Sequence, residues 1–202
     1  MNTSLTLEEA RAYMLRYCDS YNRVDTLLGL WSSLSLTDWR TLLGEEWESC
    51  DNIGLHRKQL KLAMFLTCTP HTCPEMMTAD EQQAFAALPE RVTIYRGCGP
   101  SNVIGCCWTL DRDVAAAFPM LNRYQQDEPL LVTATVKRER IVALKLDRQE
   151  QEVITFNARR LSVEPIPVEE QRRVLDARAE QQRQSLVKLV AQAQAKTFGM
   201  ES

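Results

Sequence analysis

The stretch Gly105-Cys106-Cys107-Trp108-Thr109-Leu110-Asp111-Arg112-Asp113-Val114-Ala115-Ala116-Ala117-Phe118 reads as an apolar strand that breaks into a helix. Asp111 is the helix cap, because its short carboxylate can accept from the free N–H groups of the first turn. Two adjacent cysteines, a tryptophan and a threonine stand at the break. A metal site, a disulfide and a catalytic pocket are the three readings of them. On a strand, neighbouring side chains point to opposite faces. Cys106 and Cys107 are therefore not expected to bind one metal.

The pattern differs on the two sides of this stretch. Upstream, the first ninety residues read as helices. Thr6-Leu7-Glu8-Glu9 and Thr78-Ala79-Asp80-Glu81 are capping boxes, each with a threonine and a glutamate three residues apart. Leu7, Ala10, Met14, Tyr17 and Tyr21 follow the first at helical spacing. Pro89 ends the helix opened by the second. From residue 92 strands dominate: Val92–Arg96, Val103–Trp108, Leu130–Val136, Ile141–Leu146, Glu152–Phe156 and Leu161–Val163. The Pro119–Pro129 segment reads as a loop. A last helix from about Val168 to Ala195 carries Leu175, Ala179, Leu186, Leu189 and Ala193 on one stripe. Helices, then strands interrupted by one helix, then a helix, make an α+β protein and not an alternating one. The expected division is a helical region over 1–89 packed on a core over 90–202. Gly97-Cys98-Gly99 is no dinucleotide fingerprint, since a strand and not a helix comes next.

Composition excludes several classes. The 202 residues are 45% hydrophobic and 25% charged, the balance of a globular domain that needs no staples. The net charge of −3 provides no bulk basic surface for nucleic acid. The first residues contain acids and no apolar run, so a signal peptide and a membrane span are not expected, and the chain is expected to be cytoplasmic. Seven cysteines without framework spacing are expected to be reduced in that compartment. Cys68-Thr69-Pro70-His71-Thr72-Cys73 lacks the second paired cluster of a zinc site, so no metal is expected. His56 and His71 are the only histidines, and neither is near a nucleophile motif.

Three segments, in this order, resemble the mono-ADP-ribosyltransferase family, in its arginine–serine–glutamate class. They are Ile94-Tyr95-Arg96-Gly97, then Gly105-Cys106-Cys107-Trp108-Thr109 with the helix after it, then Glu150-Gln151-Glu152-Val153-Ile154. The resemblance spans roughly residues 90 to 165. It implies a split β-sandwich core, NAD as substrate and no metal. It implies cleavage of the nicotinamide–ribose bond and transfer of ADP-ribose to an acceptor. By the match, Glu152 stabilises the charge that develops on the ribose, as a carboxylate does in glycoside hydrolysis. Arg96 would hold NAD through phosphate or ribose oxygens, with Gly97 beside it. Cys107 stands where the family has serine, and Thr109, two residues on, shares its face. Glu150 in the first position of the Glu-x-Glu pair implies a protein arginine as acceptor. The loop over 119–129 would cover NAD, with Arg123 and Tyr124 as contacts. A toxin, effector or bacteriophage product acting in host cytoplasm is the biology the family implies. A nucleic-acid acceptor and a neutralising partner belong to the same picture.

Each residue also has a plainer reading. Arg96 alone is a strand-end arginine, Glu150 and Glu152 alone are a solvated charged turn, and Thr109 alone is a cap. Their joint occurrence in order carries the functional reading. A non-catalytic binding protein, motivated by Cys107 in place of serine, and an NAD hydrolase that uses water as acceptor are the alternatives.

Overall fold

The computed structural model describes residues 5–67, 71–121, 124–146 and 150–199, without the side chains of 67 and 189–199. Five helices come first: α1 (Leu7–Tyr17), α2 (Arg23–Gly29), α3 (Leu36–Glu46), α4 (Arg57–Thr67) and α5 (Ala79–Ala87). Both capping boxes form, Thr6 with Glu9 and Thr78 with Glu81. A 3₁₀ turn, Trp47–Ser49, continues α3.

The strands are β1 (Arg91–Cys98), β2 (Cys107–Thr109), β3 (Leu130–Lys137), β4 (Ala143–Lys145), β5 (Glu152–Ile154) and β6 (Arg159–Pro165). They make one six-stranded sheet in the order β4-β5-β2-β1-β3-β6, antiparallel at every step. The fold is α+β. Between β2 and β3 lies α6 (Arg112–Ala117), capped by Asp111, which accepts from the N–H groups of Asp113 and Val114. The chain closes with α7 (Val168–Gly199).

Sequence-adjacent strands are not always neighbours here. β3 and β4 flank the 3₁₀ turn Arg138–Arg140, yet β4 forms one edge of the sheet and β3 lies four places away. The Val103–Cys106 part of the expected second strand is not strand; β2 keeps only three residues.

One continuous apolar core joins the helical layer to the sheet. Trp39, Leu42, Trp47 and Leu60 pack in the same cluster as Ile94, Val132, Leu144 and Val153. A smaller cluster lies between α6, β3 and α7, with Ala116, Leu131 and Val174 buried in it. Beyond that contact the α7 stripe is not packed as expected. Leu175 and Leu186 are 37% and 62% exposed, and residues 179–188 are exposed on all sides. Among the described residues no helix is long and apolar enough to cross a membrane.

Two ordinary readings of the cysteines are corrected. Cys73 is disulfide-bonded, against the expectation of seven reduced thiols. Cys106 precedes β2 instead of lying on it, so strand alternation does not separate it from Cys107, and the two thiols are hydrogen-bonded.

Candidate active site

β1, β2 and β5 are consecutive in the sheet, and each carries one of the three segments singled out by sequence. Tyr95 pairs with Thr109, and Thr109 pairs with Glu152. Directly paired residues share a face. Thr109 and Glu152 are thus neighbours, whereas Arg96, next to Tyr95 on β1, starts on the other face and reaches β2 through the Cys107 carbonyl.

Glu152 is the centre of this arrangement. It is half-buried at the start of β5. The indole N–H of Trp47 donates to its Oε1 at 3.1 Å, and the Cys107 thiol lies close enough to act on the same carboxylate. Burial pushes the Glu152 carboxyl above its ordinary range, and the Cys107 and Trp47 donors pull it part of the way back. Glu150 raises it further.

Cys107 is held as a thiol. Its bond to Cys106 comes first, then burial, then the negative charge of Glu152, and all three push its pKa well up. A thiolate nucleophile needs the opposite surroundings. Cys107 is therefore a protonated group beside Glu152, in the position where the resemblance implies a serine, whose hydroxyl is the stronger donor.

Arg96 is half-buried near the end of β1. Its Nη1 donates to Cys107 O at 2.8 Å and its Nε to Asn102 O at 3.4 Å. Its guanidinium lies flat against Gly105, where a Cβ would stand 2.4 Å from Cζ. Only glycine permits that approach. No carboxylate is paired with Arg96 among the described residues. The fork is oriented by carbonyls and keeps unused donors for an anion.

The remaining expected residues have other surroundings. Thr109 is buried; its hydroxyl donates to Glu150 O and accepts from Asp111 N at 3.0 Å, so it ties β2 to the segment entering β5. Glu150 does not simply share a face with Glu152, because Gln151 between them has φ 44°, a left-handed conformation uncommon outside glycine. The Glu150 carboxylate reaches Arg178 of α7 at 3.3 Å. Gly97 is enclosed by α6, where a Cβ would meet Ala115 O at 1.9 Å, so its smallness serves packing. The Tyr124 hydroxyl donates to Asp51 at 3.2 Å, and the Tyr124 ring stacks on Phe118 at 4.5 Å. The loop is thereby fastened to the helical layer. Arg123 lies outside the described residues.

Trp47 is the participant that sequence reasoning did not find. It lies 105 positions from Glu152 and reads as an ordinary core tryptophan. Both histidines are placed elsewhere, His56 beside Asp25 and His71 beside Arg140. Among the described residues no three His, Cys, Asp or Glu side chains gather as a metal site would need. No protein-family profile, curated protein or solved structure matches the chain.

Proposed function

We propose that the chain is an NAD-dependent mono-ADP-ribosyltransferase with an ADP-ribosyltransferase-like core. The observation that carries this reading is the adjacency of β1, β2 and β5, which sets Cys107 and Thr109 of β2 between Glu152 on one side and Arg96, through its bond to the Cys107 carbonyl, on the other. The residues suit NAD in two respects. Arg96 has an oriented guanidinium without a carboxylate partner, and Gly105 keeps space beside it. Glu152 is a half-buried carboxylate that is steadied by two donors.

NAD supplies a glycosidic bond whose leaving group is a neutral nicotinamide. As that bond opens, positive charge builds at the ribose, and the Glu152 carboxylate opposes it. Trp47 and Cys107 orient the carboxylate. Arg96 binds phosphate or ribose oxygens. The acceptor nitrogen or oxygen forms the new bond to the ribose carbon and gives up its proton. Glu150, half-buried and steadied by Arg178, is the group assigned to guide a protein arginine.

The test is transfer of ³²P from labelled NAD to lysate by wild type and by Glu152→Gln, with protease and nuclease treatment of the products. Wild type should label a macromolecule, and the variant should lose about 100-fold or more of the rate. The treatment that removes the label names the acceptor as protein or nucleic acid. Equal labelling by the two proteins, or no labelling together with no NAD binding, sinks the proposal. The Trp47 contact favours a second reading, a non-catalytic binding protein in which Glu152 is a structural carboxylate. Free ADP-ribose without labelled macromolecule would instead identify an NAD hydrolase.

A further inference from the structure

Gly105 has a second neighbour besides Arg96. It forms part of the wall of a cavity of about 230 Å³ together with Arg57, Trp108, Phe156 and Arg160. This cavity is at the opposite end of β2 from the Thr109–Glu152 pair. Arg57 comes from the start of α4 and Arg160 from the edge strand β6. Neither guanidinium has a hydrogen-bond or carboxylate partner among the described residues. Two buried donors at the same place are also unmatched: Arg57 Nε and the indole N–H of Trp108, a residue only 6% exposed.

Buried donors are ordinarily matched, and each orphan asks for an acceptor. Elsewhere in the molecule the arginines that pack between elements have a carboxylate partner, although the Nε atoms of Arg23 and Arg40 are, like that of Arg57, without an acceptor. Arg23 sits against Glu46, Arg40 against Glu75 and Arg112 against Glu170. Two unopposed guanidiniums and an indole N–H make a donor set for a compact polyanion, and guanidinium forks fit phosphate oxygens in particular. The other walls, Val103, Ile104 and Phe156, are apolar and suit a carbon body attached to the anion. The volume is below the roughly 300–1,000 Å³ of sites that enclose a whole drug-sized ligand. It takes one end of a molecule. A larger depression of about 590 Å³ shares Val103, Ile104 and Arg160 and runs on past Leu161, where the rest would lie.

We propose that this cavity is a binding site for the phosphate end of a phosphomonoester, gripped by Arg57 and Arg160, with the Trp108 N–H as a third donor. The site is separate from Glu152 and goes beyond the transferase reading.

The experiment is a calorimetric titration of the full chain with phenyl phosphate at low salt, beside inorganic phosphate and benzyl alcohol. The titration contains no NAD, so its outcome is independent of the transferase reading. Phenyl phosphate should bind saturably, more tightly than inorganic phosphate, while benzyl alcohol should not bind. Arg160→Gln and Arg57→Gln should each weaken phenyl phosphate tenfold or more, and Trp108→Phe severalfold. Arg160 is exposed, so its substitution leaves the fold intact, which circular dichroism would verify. Absence of saturable phenyl phosphate binding, or unchanged affinity in folded Arg160→Gln, overturns the site. Equal affinity for phenyl phosphate and inorganic phosphate overturns the ester assignment.

Discussion

Two glutamates, Glu81 on α5 against β4 and Glu152 on the neighbouring strand β5, have opposite character. Lys145 on β4 pairs in register with Glu152 on β5, yet its ammonium turns to Glu81 of α5 at 2.9 Å. Glu81 and Lys145 are 3% and 5% exposed at their side chains. Burial alone would raise Glu81, but the Thr78 N–H, Lys145 and the Leu146 N–H all donate to it, and the net shift is downward. Glu152 is also raised by burial, but among the described residues only the uncharged Trp47 indole and Cys107 thiol oppose it as hydrogen-bonding groups, and the net shift is upward. The number and charge of the donors, and not burial, separates the two. Glu81 is the carboxylate of a closed structural pair. Glu152 is a carboxylate with capacity left over, as acid–base and charge-stabilising groups are.

Three substitutions probe this contrast. The largest effect belongs to Lys145→Met, which strands Glu81 as an unpaired buried charge and should cost about 3–5 kcal/mol. Urea denaturation measures it; a loss under about 1 kcal/mol would mean that Glu81 behaves as a surface carboxylate. Trp47→Phe removes one donor to a carboxylate and should cost about 2 kcal/mol. It should also move Glu152 further up, visible as a shift of the acid limb of any NAD-dependent activity to higher pH.

The smallest effect has the opposite sign. A carboxyl raised on folding binds more protons in the native state than in the unfolded one, so stability falls as pH rises from about 4.5 through the raised value. Glu152→Gln removes that loss while its amide oxygen can still accept from Trp47. Its Tm should match wild type near pH 4 and exceed it at pH 8. Glu81 behaves in reverse: its stabilisation is present at neutral pH and is lost as pH falls through its lowered value. A Glu152→Gln protein less stable than wild type at pH 8 would place Glu152 with Glu81 as a structural group.

What the sequence made legible was local. The capping boxes at Thr6 and Thr78 and the Asp111 cap are signals within three residues, and all three formed. β1 and β3, eight residues each, carry their own β-branched pattern. β2, β4 and β5 are three residues each and exist through partners far along the chain, so their ends were drawn too long. Alternation misled at one point. It separated Cys106 from Cys107, which meet because Cys106 is not on the strand, and spacing gave no sign of the left-handed Gln151 between Glu150 and Glu152. Apolar spacing in α7 resembled a packing face, but spacing reports only that a stripe exists and not what covers it. Arg96, Cys107 and Glu152 were legible as a set only through the resemblance, and Trp47 not at all.

The shared core has a consequence for how this chain can be divided. A cut at Pro89 looks natural, since the helical grammar ends there. Yet it would open the single apolar cluster that runs from Trp39 to Val153, and would take away the indole on Glu152. The helical layer is thus not a detachable accessory that the sheet could gain or shed. Residues 90–202 produced alone should bind a hydrophobic dye and melt without cooperativity, and supplying residues 1–89 in trans should restore a sharp transition.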